Sequence, residues 1–171
     1  LTHISTQFRK LFEEMEKGYL EKREALNRRP EKGKPLTAIL KHELSKIEPW
    51  RIPIMANLWE LSRKLSHEER IKYEEFVRQS TFRRVLHDET PFYRRIIDKP
   101  EGYAGDAEVL RMLYDDFFEG DTPFGMFAHK QVTECLTAQA IRNRRDFLRK
   151  HISRVKKKGK RRILSIAAGH A

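Results

Sequence analysis

The sequence has a single cysteine, Cys135, among its 171 residues. One cysteine cannot form a disulfide within the chain, and no histidine or acid stands beside it in a recognisable catalytic pattern. We therefore interpret Cys135 as a small apolar residue on a helix face rather than as a nucleophile. A chain that uses cysteine so sparingly is typical of a reducing compartment, and we expect the protein in the cytoplasm.

Long apolar runs, targeting signals and metal-binding patterns are also missing. No stretch approaches the roughly 18 apolar residues of a membrane-spanning helix, and the N-terminus lacks the basic-then-apolar pattern of a secretory signal. The seven histidines have neither the four-residue spacing nor the cysteine partners of a metal site. We therefore expect a soluble protein with no membrane span and no bound metal.

Acidic residues are nearly absent from one segment. Between Arg142 and Arg162 there are twelve lysines and arginines against one acid, Asp146, so this segment carries the whole net charge of +11. Such a run is most simply a solvated helix face, and basic residues are favoured at a helix C-terminus. The alternative is a binding surface for nucleic acid or an acidic protein. Nucleic acid is disfavoured because only Phe147 interleaves with the charges and no known reading motif is present.

Apolar residues recur at steps of three and four through the first half of the chain, which is typical of amphipathic helices. Ser66 and Glu69 have the spacing of a capping box and predict a helix whose inward residues are Ile71, Tyr73, Phe76 and Val77. The segment from Phe82 to Asp98 is less regular, and Pro91 allows a break. The other predicted helices are Ser5 to about Arg29, Pro35 to Pro49 and a third that carries Ile54, Leu58, Leu61 and Leu65.

The second half begins with a loop, Lys99 to Asp106, that contains two glycines and a proline. A helix with Val109, Leu110, Leu113, Tyr114, Phe117 and Phe118 on its apolar side should follow and end at Gly120 and Asp121. Thr122 and Pro123 predict an N-cap and first turn for the longest helix, which runs to about Lys156. Its expected core residues are Phe127, Val132, Cys135, Leu136, Gln139, Ile141, Phe147, Leu148 and Ile152.

The last segment, from Arg161 to Ala171, is the one place with the pattern of a short buried strand. It leads into small residues and Gly169, and small residues let a backbone approach a nucleotide closely. The chain begins at Leu1 and stops at Ala171 within this strand and turn. We therefore expect a fragment that is inactive by itself.

Three stretches together resemble a known family. They are Gly-Tyr-Ala-Gly-Asp at 102–106, Ala-Ile-Arg-Asn-Arg-Arg-Asp at 140–146 and Ile-Leu-Ser-Ile-Ala-Ala-Gly at 163–169, in the expected order and spacing. In them the chain resembles a bacterial family of class I S-adenosylmethionine-dependent methyltransferases that carry a helical region ahead of a Rossmann-like domain. This family includes proteins linked to methyl esters of hydroxy fatty acids. The likeness covers residues 99–171.

The resemblance implies methyl transfer from S-adenosylmethionine to a small-molecule or lipid-like acceptor such as a fatty-acid carboxylate. Ala167 and Gly169 correspond to the turn of the first cofactor-binding motif, and Ser165 stands where most class I enzymes have an acid. Tyr103, Asp106 and Arg142 are further candidates for the cofactor site, while no catalytic residue is identifiable. Asp106 is also expected to cap the following helix, and Tyr103 is more simply a packed ring with a satisfied hydroxyl.

The charged and polar residues at 142–146 occupy successive helical positions and cannot all face one site. Arg142 and Asp146 are spaced to pair on one helix face, and the sharper alternative is a buried arginine that pairs with Asp106 or with a substrate carboxylate. The expected fold is mainly α, with a helical N-terminal region at 1–98, a helical cap or linker at 99–159 and the start of a Rossmann-like domain at 160–171. The rival function is a non-enzymatic helical module that binds through its basic 142–162 segment.

Overall fold

Eight α-helices make up the protein within residues 2–115 and 117–157, which are the residues that the computed structural model describes. The expected mainly α fold is confirmed. The predicted strand, with Ala167 and Gly169, lies outside the described residues. In chain order the helices are α1 (His3–Asn27), α2 (Gly33–Lys64), α3 (His67–Gln79), α4 (Thr81–Glu89), α5 (Pro91–Asp98), α6 (Ala107–Tyr114), α7 (Pro123–Thr133) and α8 (Leu136–Lys157).

Helices α1 and α2 form an antiparallel pair. Lys22 on α1 lies 2.5 Å from Glu43 on α2, and Gly18 lies beside Trp50 further along the same interface. A β-carbon at residue 18 would come within 2.6 Å of the Trp50 indole, so the absence of a side chain lets the ring lie against the α1 backbone. The apolar stripes of both helices are buried in this interface and supply much of the main core.

The prediction that Pro49 ends a helix is wrong, because α2 continues through both Pro49 and Pro53. Each proline leaves the carbonyl four residues earlier without its helical N–H partner. Those carbonyls belong to Ser45 and Pro49, which are exposed, so water can satisfy them. Ile54 and Leu58 meanwhile remain buried against the core, and their burial offsets the lost hydrogen bonds.

The capping box that begins α3 is confirmed, since the Ser66 hydroxyl accepts from the Glu69 N–H at 3.2 Å and the Glu69 carboxylate accepts from the Ser66 N–H at 3.1 Å. The break at Pro91 is also confirmed, with α4 ending at Glu89. Ile71 was expected to point inward but is 54% exposed. Helix α3 covers the core with a narrower face, and Tyr73 is its buried residue.

Helix α7 lies at the centre of the fold, with Phe124 and Phe127 fully buried. It packs against α1, α2, α4 and α5, so the main core continues across residue 98, the predicted edge of the N-terminal region. The expected single helix from Pro123 to about Lys156 is wrong, because α7 ends at Thr133 and α8 begins at Leu136. The N–H of Glu134 closes the last turn of α7 on the Lys130 carbonyl at 3.0 Å.

Helix α8 leaves the core that α7 stays in, so much of its expected apolar stripe is exposed. Its first turns pack on α6 and α7, and Ala138 is buried there. Helix α6 also ends earlier than expected, at Tyr114, and Phe117 is exposed. The residues of α8 that were expected in the core and are exposed are Leu136, Gln139, Phe147, Leu148 and Ile152. Among the described helices, none has both the length and the apolar character needed to cross a bilayer.

Candidate functional site

The Gly-Tyr-Ala-Gly-Asp stretch forms the connection between α5 and α6. Helix α5 ends at Asp98, and its C-cap residue Lys99 has a left-handed conformation, with φ of 48°. The N–H of Gly102 donates to the Lys99 carbonyl at 2.7 Å, and Gly102 has φ of +82°, which side-chain-bearing residues rarely adopt. Gly102 is therefore required by the turn itself. Gly105 has open space around it and no such backbone constraint.

Asp106 ends this loop and is buried, with 1% of its surface exposed. Its carboxylate accepts from the Val109 N–H at 3.0 Å, so the predicted N-cap of α6 is confirmed. Both carboxylate oxygens also accept from Nε of Arg95, at 2.8 and 2.7 Å. The Arg95 guanidinium and the capped N–H hold the pKa of Asp106 below its usual value, against the opposing effect of burial.

Arg95 is the partner that the sequence did not reveal. It stands eleven positions before Asp106, in a segment whose helical periodicity is weak, so no spacing rule links the two. The pair ties α5 to α6 across the loop and fixes the loop at both ends. Asp106 is thus a charged clamp whose oxygens are already engaged within the protein.

Tyr103 lies in the same loop and is 56% exposed, so the expectation of a packed ring is wrong. An exposed aromatic ring next to a fixed loop can stack on a planar ligand. Of the predicted site residues that the structure describes, Tyr103 is the one most open to a ligand.

Arg142 lies away from this loop, at the C-terminal ends of α6 and α7. Its guanidinium donates to the Leu113 carbonyl at 2.9 Å and to the Thr133 carbonyl at 2.5 Å, which are the C-terminal ends of α6 and α7. A cation at helix C-termini satisfies carbonyls that have no intrahelical partner and interacts well with the helix dipole. Arg142 therefore anchors α8 to the helical body, and the structure does not pair it with Asp106 or with Asp146.

Asp146 pairs instead with its neighbour Arg145 at 2.9 Å, so the expected Arg142–Asp146 pair is wrong. The Arg145 guanidinium lies over the Tyr114 ring, 5.1 Å from its centroid, and adds a second contact between α8 and α6. Arg142 and Arg145 thus both have structural roles, because each joins α8 to α6.

The predicted cofactor residues are not brought together at one point. Asp106 caps the N-terminus of α6, whereas Arg142 binds the carbonyl of Leu113 at its other end, and seven residues of helix span roughly 10 Å. Ala167 and Gly169 lie outside the described residues. The loop at 102–106 and the Arg142 anchor are therefore two separate features of α6.

Metal ligation finds no support in residues 2–115 and 117–157, where no group of three or more His, Cys, Asp or Glu side chains is arranged to hold an ion. His129 is buried beside Phe92, with a ring-centroid separation of 6.4 Å. Burial lowers its pKa, so the ring is neutral at physiological pH.

A partly open cavity in the helical body was missed by sequence reasoning altogether. This inner chamber, of about 430 Å³, lies among α1, α2, α3, α4, α5 and α7. Beside it is a polar mouth of about 490 Å³, and the two share Arg51, Gln131 and Cys135. Because these residues come from distant parts of the chain, no local pattern could have indicated the cavity.

Comparisons of the chain with protein-family models, with curated proteins and with solved structures gave no match. Function is therefore inferred from the chain's own residues and their geometry.

Proposed function

We propose that this chain is the helical N-terminal part of a class I S-adenosylmethionine-dependent methyltransferase that works in the cytoplasm. The observation that carries the proposal is the order and spacing of the stretches at 102–106, 140–146 and 163–169. The acceptor would be a small-molecule or lipid-like compound such as a fatty-acid carboxylate. Methyl transfer needs the acceptor to be aligned with the methyl group and water to be excluded, which suits a helical cap.

The exposed face of α8 supports this proposal. Leu148 and Ile152 are one turn apart, and they project beyond the first turns, which Arg142 fixes to the body. An apolar helix stripe without a partner in the described residues is typical of a surface that packs against a further layer. The stretch at 163–169, which resembles the first cofactor-binding motif, comes soon after α8 in the sequence.

The contacts of the loop refine which residues would meet the cofactor. The exposed ring of Tyr103 fits stacking against the adenine, and Ala167 and Gly169 would form the turn around the methionine or ribose portion. Asp106 fits a positioning role better than direct contact, because Arg95 and the Val109 N–H already use its oxygens. Arg142 fits an anchoring role. S-adenosylmethionine supplies the methyl group, and the chain orders the loop beside it.

The test is methyl transfer by the full-length product of the gene, measured with S-adenosylmethionine that carries a labelled methyl group. Gly169→Val should abolish transfer and leave the helical part folded, because a β-branched side chain would fill the space where backbone and cofactor meet. The 171-residue chain alone should give little heat with S-adenosylmethionine in calorimetry, since most ribose and adenine contacts come from later strands. Full activity in the Gly169→Val protein would remove the cofactor assignment.

A binding module is the second candidate, and the exposure of Arg144, Arg149, Lys150 and Arg154 along α8 favours it. Its partner would be nucleic acid or an acidic protein, held by charge. Titration with a labelled oligonucleotide and with polyglutamate at several salt concentrations distinguishes the two functions. Tight, salt-sensitive binding together with no methyl transfer would favour the module over the enzyme.

A further inference from the structure

The inner chamber is lined mainly by apolar side chains from six helices. Phe12 and Met15 come from α1, Met55 from α2, Phe82 and Leu86 from α4 and Val132 from α7. Met55 on this lining is 44% exposed, so the space of about 430 Å³ is partly open to solvent and a ligand can enter it. Its size lies within the range of pockets that hold small organic ligands.

An unsatisfied amide stands where the inner chamber meets the polar mouth. The Tyr19 hydroxyl donates to Oε1 of Gln131 at 2.7 Å, while Nε2 of Gln131 is buried and has no hydrogen-bond partner in the described part of the chain. A tyrosine hydroxyl can donate or accept, so either orientation of the amide leaves one of its polar atoms unpaired. A buried polar group without a partner is costly, and a small rotation of the Gln131 side chain toward the polar mouth would let a ligand oxygen satisfy it.

The polar mouth carries no net charge that would select an ion. Lys41 and Arg51 face Glu48 and Glu134 there, two of each sign. The Arg51 guanidinium makes two hydrogen bonds with Glu48, at 3.1 and 2.7 Å, so its charge is already compensated. Inside the chamber, burial raises the pKa of both Tyr19 and Tyr93, which keeps their hydroxyls neutral.

We propose that the inner chamber is a binding site for an uncharged small molecule with an apolar chain and one terminal hydroxyl or carbonyl oxygen. The chain fills the space lined by Phe12, Met15 and Val132, and the oxygen bonds the free amide atom of Gln131 at the polar mouth. A hydroxyl, which both donates and accepts, satisfies this atom in either amide orientation. The site does not depend on S-adenosylmethionine or on the proposed methyl transfer.

Octanol is a suitable probe, and Cys135 provides the readout because it is the chain's one thiol and lines both the chamber and the mouth. Octanol should raise the melting temperature saturably and slow the reaction of Cys135 with a thiol reagent over the same concentration range. Octanoate, of the same length but charged, should bind more weakly. No saturable effect of octanol on either measurement overturns the proposal, and octanoate binding as tightly as octanol overturns the uncharged class.

Two variants test separately whether binding needs the space of the inner chamber and whether it needs the Gln131 amide. Val132→Phe fills the chamber and should abolish protection of Cys135, and circular dichroism checks that it remains folded. The double variant Tyr19→Phe/Gln131→Leu removes both hydrogen-bonding partners together and leaves neither unpaired. Its affinity for octanol should fall about tenfold, the worth of one hydrogen bond, while ethylbenzene, which has no acceptor, binds as before. Unchanged octanol protection in folded Val132→Phe would place the ligand elsewhere.

Discussion

The backbone carbonyl oxygen of Glu89 lies against Cα of Gly125, in the space that a β-carbon at residue 125 would occupy. The end of α4 and the first turn of α7 thus meet backbone to backbone. The Glu89 carboxylate reinforces the contact, because it accepts from the Thr122 hydroxyl, which in turn accepts from the Gly125 N–H at 3.0 Å. The absence of a side chain at Gly125 lets the central helix α7 dock at this depth.

Gly125→Ala should destabilise the protein by about 3 kcal/mol, because the clash is with backbone, which cannot rotate away. Gly105→Ala is the matched control, since no atom lies within 4 Å of a β-carbon at that position. The control should change stability by less than about 1 kcal/mol. Urea denaturation of the three proteins makes the comparison, and similar midpoints for the two variants would contradict the close approach.

Glu89→Gln should cost about 2 kcal/mol of stability. The Glu89 carboxylate is buried and accepts from Arg23, from Nδ2 of Asn27 at 3.1 Å and from Thr122, and an amide places a donor among these donors. Glu24→Gln breaks an exposed pair with Arg28 instead and should cost less than about 0.5 kcal/mol. Equal losses of unfolding free energy for the two variants in denaturant titrations would contradict a larger contribution from the buried Glu89 carboxylate.

Asp106→Ala should lower the melting temperature by several degrees, because it removes both the cap of α6 and the partner of Arg95. Asp106→Asn keeps the cap and loses the ion pair, so it should recover only part of the loss. In the proposed full-length methyltransferase, Asp106→Ala should lower the rate of methyl transfer by more than its loss of stability explains, since the loop beside Tyr103 is misplaced. If Asp106→Asn recovered both the melting temperature and the activity in full, Asp106 would act only as the N-cap of α6.

The loss of stability at low pH should also depend on Asp106. Its pKa is lower in the folded state than the ordinary value of about 3.9, so the unfolded chain takes up the proton first as the pH falls. The stabilisation is therefore present above that value and is lost as the pH falls through the folded-state pKa. Melting temperatures of wild type and Asp106→Asn should converge at low pH, and a constant gap would contradict the shift.

The contributions of His129 and His87 to stability should depend on pH in opposite directions around pH ~6.5. Burial lowers the pKa of His129, so its contribution is lost as the pH falls below the ordinary value of about 6.5. Asp88 and Asp98 raise the pKa of His87, so its contribution is present below that value and is lost as the pH rises through the folded-state pKa. In melting temperatures measured against pH, His129→Leu should flatten the loss below about pH 6.5, and His87→Gln should flatten the loss above about pH 6.5.

Arg142→Met should loosen α8 from the helical body at a cost of about 2 kcal/mol, because two helix-terminal carbonyls lose a charged donor. Arg144→Met is the control, as Arg144 is exposed on the same helix. Hydrogen exchange should speed up in the first turns of α8 for Arg142→Met and stay unchanged for the control. Protection from hydrogen exchange equal to that of wild type in both variants would contradict the anchoring role of Arg142.

Local signals in the sequence were reliable where one short segment supplies all the partners. Ser66 and Thr122 cap their helices as expected, Asp106 caps α6, and Pro91 begins α5, because each of these interactions joins groups within about three residues. Expectations that depended on the surroundings failed. Pro49 did not end α2, because burial of its apolar stripe and solvent access to the freed carbonyls outweigh the lost hydrogen bonds.

The sequence by itself determined that the protein is helical and where several helices begin, since propensity, apolar period and capping act within a few residues. It also contains the three stretches on which the proposed methyltransferase function rests. Only the tertiary structure decided that Asp106 pairs with Arg95, that Arg142 anchors α8 and that Gln131 borders an inner chamber. These contacts join residues whose separation follows no helical period, so packing of whole helices brings them together.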